Sequence, residues 1–264
     1  MHAGDGVPWD HVADCAIHVN HRLLRGFLID IATIGGKVVG HAEWIISDEP
    51  PPYGRHLYLG LLQVHPHYRG RGVGRALVEE GIRKARALSC PVARTLPEAG
   101  AVGFYRKCGC STWRRVVTYT AAVRPVALPP GWVRSRTVPH RAVAAFPMRF
   151  GWVQGSSVHR WEVCNRPARI FGDRTRHPCA RRRDDRAFVQ LRHLGDRVQA
   201  MALAWAPLHL SLRAPVAAAM ALAGSLPVET VTFTVQETDE PHPVSCCDAH
   251  RTGVAEVWSR PVDP

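Results

Sequence analysis

The chain has 264 residues, 46% of them hydrophobic, and carries a formal net charge of +12 with a pI near 9.9. That is ample material for one large core or two ordinary ones, and the basic balance suits an anionic ligand. No apolar run approaches the roughly 20 residues that cross a bilayer, and Met1–Pro8 lacks a basic stretch followed by an apolar one, so no membrane span or export signal is expected and the reading is cytoplasmic.

In chain order, Trp9 to Leu24 reads as one broken helix. Phe27–Ile34 and Lys37–Ser47, flanking Gly35-Gly36, read as a β-hairpin. Asp48–Arg55, stiffened by Pro50 to Pro52, is a loop, and Leu57–Val64 is a strand. A glycine turn follows, then a helix over Arg75–Leu88, with Val73, Leu77, Val78, Ile82, Ala85 and Leu88 on one face. Pro91–Leu96 is a short strand, Glu98–Lys107 a helix ended by Gly109, and Thr112–Val123 a long strand. Arg124–Gly131, with three prolines, reads as a linker.

Beyond it, Val133–Val163 is expected to hold one or two helices and Cys164–Asp185 a loop rich in Arg, Pro and Asp. Phe188–His193 and Arg197–Trp205, around Gly195-Asp196, read as a second hairpin. Leu208–Leu212 reads as a short strand, Pro215–Ala223 as an apolar helix, and Val228–Val235 as a strand. Pro241–His250 reads as a helix and Val254–Val262 as the last strand. This order repeats that of the first half.

The stretch Gln63 to Arg75 carries the chemistry. It joins a strand to a helix through Gly70, Gly72 and Gly74, which let the backbone turn sharply and approach a bound group. The first amides of the helix have no partner within it, and the helix dipole adds positive potential, so the turn suits a phosphate. Arg69, Arg71 and Arg75 ring it. The Gly-Lys-Ser/Thr ending of a Walker loop is missing.

Arg69-x-x-Gly72-x-Gly74, after a strand ending Val64-His-Pro66, resembles the acetyl-CoA motif of the GCN5-related N-acetyltransferase (GNAT) superfamily. Ala101-x-x-Phe104-Tyr105-x-x-x-Gly109 resembles that family's second signature at the expected distance. The resemblance covers about residues 26–123 and implies an α/β (α+β) fold: a mixed central sheet with flanking helices over residues 1–124. Residues 131–264 would be a second GNAT-like α+β domain, a degenerate copy with Leu212-Arg-Ala-Pro215 where the phosphate loop should stand, or an unrelated α+β domain. The family's opening strand and two helices, which wall the acceptor pocket, find too little chain before Phe27. The second domain would then cover that pocket or mediate a homodimer.

The resemblance further implies that acetyl-CoA is the co-substrate and lies in a V between Leu57–Val64 and Pro91–Leu96. Its pantetheine arm would pair near Leu62, Gln63 and Val64, and its diphosphate would sit on Arg69, Gly70, Arg71, Gly72, Val73, Gly74 and Arg75. Tyr105 aligns with the tyrosine that protonates the leaving thiolate; a phenol is protonated at neutral pH and can donate. Glu43 is the first choice for the base that deprotonates the amine, ahead of His41, His65 and Tyr58. His65 and His67 are read as surface or cofactor-rim residues. Glu98 stands where the family often has a cofactor-contacting Asn, and is expected to point away.

The implied acceptor is a primary amine of a small molecule or peptide. The alternative is a non-catalytic acetyl-CoA-binding module. No metal is expected, since the histidines and cysteines show no ligand spacing, and Cys108, Cys110, Cys246 and Cys247 read as free or buried thiols. The six arginines of 174–186 lack interleaved aromatics, so a solvated loop is read there and nucleic acid is not an expected partner.

Overall fold

The computed structural model describes residues 12–24, 26–152, 157, 161, 177–194, 198–239 and 247–263. The chain divides into two compact units, one made of residues 1–47, 55–113 and 257–264, the other of 48–54 and 114–256. This division differs from the contiguous 1–124 and 131–264 expected from sequence: the last eight residues pack with the first unit.

The first unit opens with α1 (Val12–Leu23), the only helix ahead of the hairpin among the described residues; the expected start at Trp9 lies outside them. Strands β1 (Leu28–Ile34) and β2 (Lys37–Asp48) pair antiparallel, with Ile34 opposite Lys37. Gly35 and Gly36 both hold positive φ, +56° and +76°, which matches the primed turn that the strand twist favours and explains the glycine pair. Strand β3 (Arg55–Val64), helix α2 (Val73–Ala87) and strand β4 (Val92–Thr95) form a parallel crossover unit. A 3₁₀ turn at Ala99–Ala101 leads into α3 (Val102–Lys107).

The sheet runs β1-β2-β3-β4, and β4 is flanked on its other side by the end of β12 (His250–Pro261). There Trp258 stands opposite Thr95 and Pro261 opposite Val92. Helix α2 buries the apolar face expected of it, and it lies close because position 81 is glycine: a Cβ there would sit 2.0 Å from the Trp44 indole. Gly40 serves the same closeness on β2, since a Cβ would come within 2.9 Å of Val73.

The second unit is built on β5 (Ser111–Ala122), most of which belongs to it, and on β6 (Trp132–Ser135), β7 (Met148–Phe150), β8 (Cys179–Arg182), β9 (Phe188–Leu194), β10 (Gln199–Trp205) and β11 (Thr230–Gln236). Helices α4 (His140–Ala145) and α5 (Arg213–Ala223) accompany them, and Ser157 and Trp161 are also helical. The strand order is β5-β11-β7-β10-β9-β8-β6. Helix α5 is buried almost all round, as its alanine-rich composition allows, and packs with Phe233, Val231 and Leu191 in the core.

Three expectations change here. Val133–Val163, expected to hold one or two helices, has α4 and helical Ser157 and Trp161 among its described residues but also two strands, β6 and β7, with Met148 and Phe150 serving as sheet residues. The arginine-rich loop contains β8, whose Cys179 and Ala180 are buried between β6 and β9. Leu208–Leu212 is a turn and not a strand: its carbonyls bend inward to a buried guanidinium, described below. The turn at Gly195-Asp196 and most of the helix expected over Pro241–His250 lie outside the described residues.

Candidate active site

The sheet of the first unit opens where β3 and β4 part. Their parallel register is Leu57 to Ala93, Tyr58 to Arg94 and Leu59 to Thr95, and it ends there, while β3 runs on to Val64. Two strands that pair and then splay leave a wedge with strand backbone along one side. A cavity of about 490 Å³ fills that wedge, lined by the β3 residues from Leu59 to Val64 and, across from them, by Thr95, Phe104 and Tyr105.

The turn at the end of the wedge has the conformation its glycines predict. Gly70 and Gly72 take φ of +75° and +83°, with no atom within 4 Å of where a Cβ would stand. They are therefore required by the backbone conformation and not by crowding. Gly72 caps α2, and Ala76 returns its amide to the Gly72 carbonyl at 2.9 Å, leaving the amides before it directed out of the helix end. Gly74 faces the cavity, where a Cβ would meet the Phe104 ring at 3.3 Å. A slot along a strand that ends in an amide-rich, positive turn fits an extended chain terminated by a diphosphate.

The residues expected at the site divide into two groups. Leu62, Gln63, Val64, Arg69, Gly74 and Tyr105 line the cavity. Arg69 also donates from Nε to the Val64 carbonyl at 3.1 Å, which holds the turn against the strand end. Gly70, Arg71, Gly72, Val73 and Arg75 do not line it. Val73 is buried under Gly40, while Arg71 lies over the Tyr68 ring, 5.4 Å from its centre, in a separate depression with Lys37, His65 and His67. Glu98, expected to point away, does line the cavity, at an exposed position where water screens its charge.

Tyr105 is buried, and burial raises its phenol well above the usual range, outweighing the opposing hydrogen bond with the Thr95 side chain. It therefore keeps its proton at any physiological pH. The Thr95 hydroxyl in turn donates to the Leu59 carbonyl at 3.4 Å, at the fork of the wedge. Tyr58, the residue before that fork, is buried with Phe27 and Ile45. Burial also pushes the Cys110 thiol up to about 11, so it is no thiolate nucleophile.

Glu43 does not line the cavity. It lies buried on β2 beneath α1, where His18 Nε2 approaches both carboxylate oxygens at 2.9 and 3.1 Å. His41 Nε2 lies at 3.2 Å and Arg22 Nε at 3.6 Å. Burial alone would raise its pKa, but the hydrogen bonds from His18 and His41 and the charges of His18 and Arg22 prevail and lower it to about 2. Cavity-lining Gly60 connects the two places: its absent Cβ would stand 3.3 Å from Ile45 and 3.9 Å from the Glu43 carbonyl. Sequence reasoning missed His18, Arg22 and Thr95. The first two stand four residues apart, on one face of a helix, which is the one signal that could have found them.

Comparison with known proteins agrees with this geometry. The sequence over residues 6–110 matches the profile of the acetyltransferase (GNAT) family. Residues 6–110, under half of the chain, thus resemble a GNAT acetyltransferase domain. No curated protein matches the chain. Among solved structures, a GCN5-related N-acetyltransferase from Anabaena variabilis superposes with a TM-score of 0.66 at 14% identity, over 96% of this chain and 67% of that one. A GCN5-related N-acetyltransferase from Kribbella flavida gives 0.58 at 17%, over 95% and 64%. A tandem GNAT protein from the clavulanic acid biosynthesis pathway gives 0.53 at 15%, over 90% and 84%. The chain spans about two thirds of the length of the first two relatives.

Proposed function

We propose that the first unit is an acetyl-CoA-dependent N-acetyltransferase that acts on a primary amine of a small molecule or peptide by direct attack on the thioester. The observation that carries this reading is the wedge between β3 and β4, which joins the stretch of β3 beyond its register with β4, the Arg69–Gly74 turn and a protonated tyrosine in one cavity. The strand edge from Leu61 to Val64 can hold an amide-bearing arm as an added strand, and the turn can hold its diphosphate. Acetyl-CoA would supply the activated acyl group; every other task falls to the protein.

Tyr105 would donate its proton to the departing sulfur, and its hydrogen bond with the Thr95 side chain would direct the phenol. Glu43 is the assigned proton acceptor for the amine side. At a pKa of about 2 its carboxylate is a weak base, so it acts with His18, which it holds by both oxygens. His18 is partly exposed, at 23% of its side chain, and would pass the proton on to solvent. A homodimer and a degenerate second GNAT copy remain parts of this proposal.

Tyr105→Phe tests the reading. Turnover, followed as free CoA thiol released with a panel of amines, should fall by about 10²–10⁴-fold while acetyl-CoA affinity holds. Tight acetyl-CoA binding with no turnover on any amine would instead favour a binding module, whose supporting observation is that Glu43 does not line the cavity.

A further inference from the structure

The second unit contains a counterpart of the wedge. Strands β10 and β11 pair in parallel for three residues, Gln199 with Thr230, Ala200 with Val231 and Met201 with Thr232, and then part. As in the first unit, a strand, a turn and a helix, here β10, 206–212 and α5, connect the two. The gap between the parted strands is filled by β7. Met148 stands opposite Trp205 and Phe150 opposite Ala204 on one side, and Phe150 opposite Val235 on the other. Flanking backbone bonds close both edges, Ala206 N–H to Pro147 O at 3.3 Å and Gly151 N–H to Thr234 O at 2.8 Å.

We propose that β7 permanently occupies the second unit's thioester-carrier slot, with Arg149 as its latch, so that the chain binds one acyl-CoA and the second unit none. This rests on the reading of the first wedge as the carrier site. The peptide segment makes the strand pairing that an extended ligand arm would otherwise make. Phe150 is fully buried and packs edge-on against Phe233 at 5.5 Å. Gly151 passes so close to β10 that a Cβ would stand 2.4 Å from Leu203.

The turn has changed sign to match. Arg149, buried at 4% exposure, donates from Nη1 to the carbonyls of Pro207, Leu208 and Leu210 at 2.6, 3.0 and 3.1 Å. Three carbonyls converging on a guanidinium make a cation site, where the first unit offers amides to an anion. The helix that follows is poorer in donors too: Pro215, its third residue, has no N–H, and the Arg213 amide goes to the Ser211 hydroxyl at 3.3 Å.

The test combines calorimetry with amide hydrogen exchange on the full chain, using acetyl-CoA as the probe. One equivalent should bind. The amides of 148–151 should exchange slowly without ligand and be unchanged by saturating acetyl-CoA, while those of 60–75 gain protection. In Arg149→Lys, which keeps the charge but loses the planar guanidinium, 148–151 and 207–210 should speed up together. A second equivalent, a ligand-induced change at 148–151, fast exchange there in the free protein, or an unaltered Arg149→Lys pattern would each overturn the proposal. If no acetyl-CoA binds at all, the proposed function fails, yet slow exchange at 148–151 still upholds the filled slot.

Discussion

One unit of this protein keeps its wedge open and the other has it filled by its own chain. Both begin as a parallel strand pair that holds for three residues and then diverges. The hole that follows must be satisfied, because strand edges carry backbone donors and acceptors that cannot be left buried and unpaired. In the first unit a cavity of about 490 Å³ remains beside the strand edge, next to a turn of amides and arginines. In the second, Met148 to Phe150 take the place and three carbonyls face inward. The comparison teaches that an open cleft in this architecture is defined by what is withheld from the gap as much as by the residues around it.

The largest expected effect breaks the open wedge from outside. Because β4 pairs with β3 over only three residues, it depends on Trp258–Pro261 along its other edge, and Arg260 ties this strand to Glu79 at 2.8 Å and to the Cys108 carbonyl at 2.8 Å. Removing residues 257–264 should abolish the acetyl-CoA-induced rise in melting temperature; an intact rise would show that β4 stands alone. Next, Phe150→Ala should lower stability by about 3–5 kcal/mol in a denaturant titration, with acetyl-CoA affinity unchanged, since the emptied slot belongs to the other unit. A matching loss of affinity would mean that the two wedges are not independent.

Glu43 gives the third. Its folded pKa, about 2, is depressed below the ordinary carboxylate value of 4.5. Its contribution is therefore complete above about pH 5 and is lost as pH falls towards 2, roughly 3 kcal/mol in all. Glu43→Gln should flatten the acid side of a stability-against-pH curve, and an unchanged curve would remove the ionised cluster from the account. The smallest is Gly72→Ala, where a side chain at φ +83° costs about 1–2 kcal/mol. It should weaken acetyl-CoA binding about ten-fold or more with little change in the rate of bound substrate, because it distorts only the turn.

Much of the open wedge was legible because its determinants are local. A glycine that must take positive φ, or an arginine in a fixed spacing around a turn, announces itself within a few residues, and so Gly35-Gly36, Gly72 and Tyr105 stand in the elements expected for them. The filled wedge was not legible for the opposite reason. Met148-Arg149-Phe150 is too short to show a period, and an arginine in its centre reads as exposed until distant carbonyls are seen to enclose it. The His18–Glu43 cluster and the strand that flanks β4 are also long-range: their partners lie 25 and more than 160 residues away. For the arginine-rich stretch before Phe188, composition suggested a loop, but Cys179 and Ala180 are held in a strand by neighbours on both sides.

The pairing of Trp258 with Thr95 also bears on biosynthesis. Chains emerge from the ribosome amino-terminus first, and domains commonly fold in that order. Here the earlier-made unit lacks an outer strand until residue 261 has left the exit tunnel, by which time the whole of the later-made unit has been translated. The cleft therefore cannot mature before residues 258–261 are made, and a translation product stalled ahead of them would contain every residue of the cavity wall and still have no finished cleft.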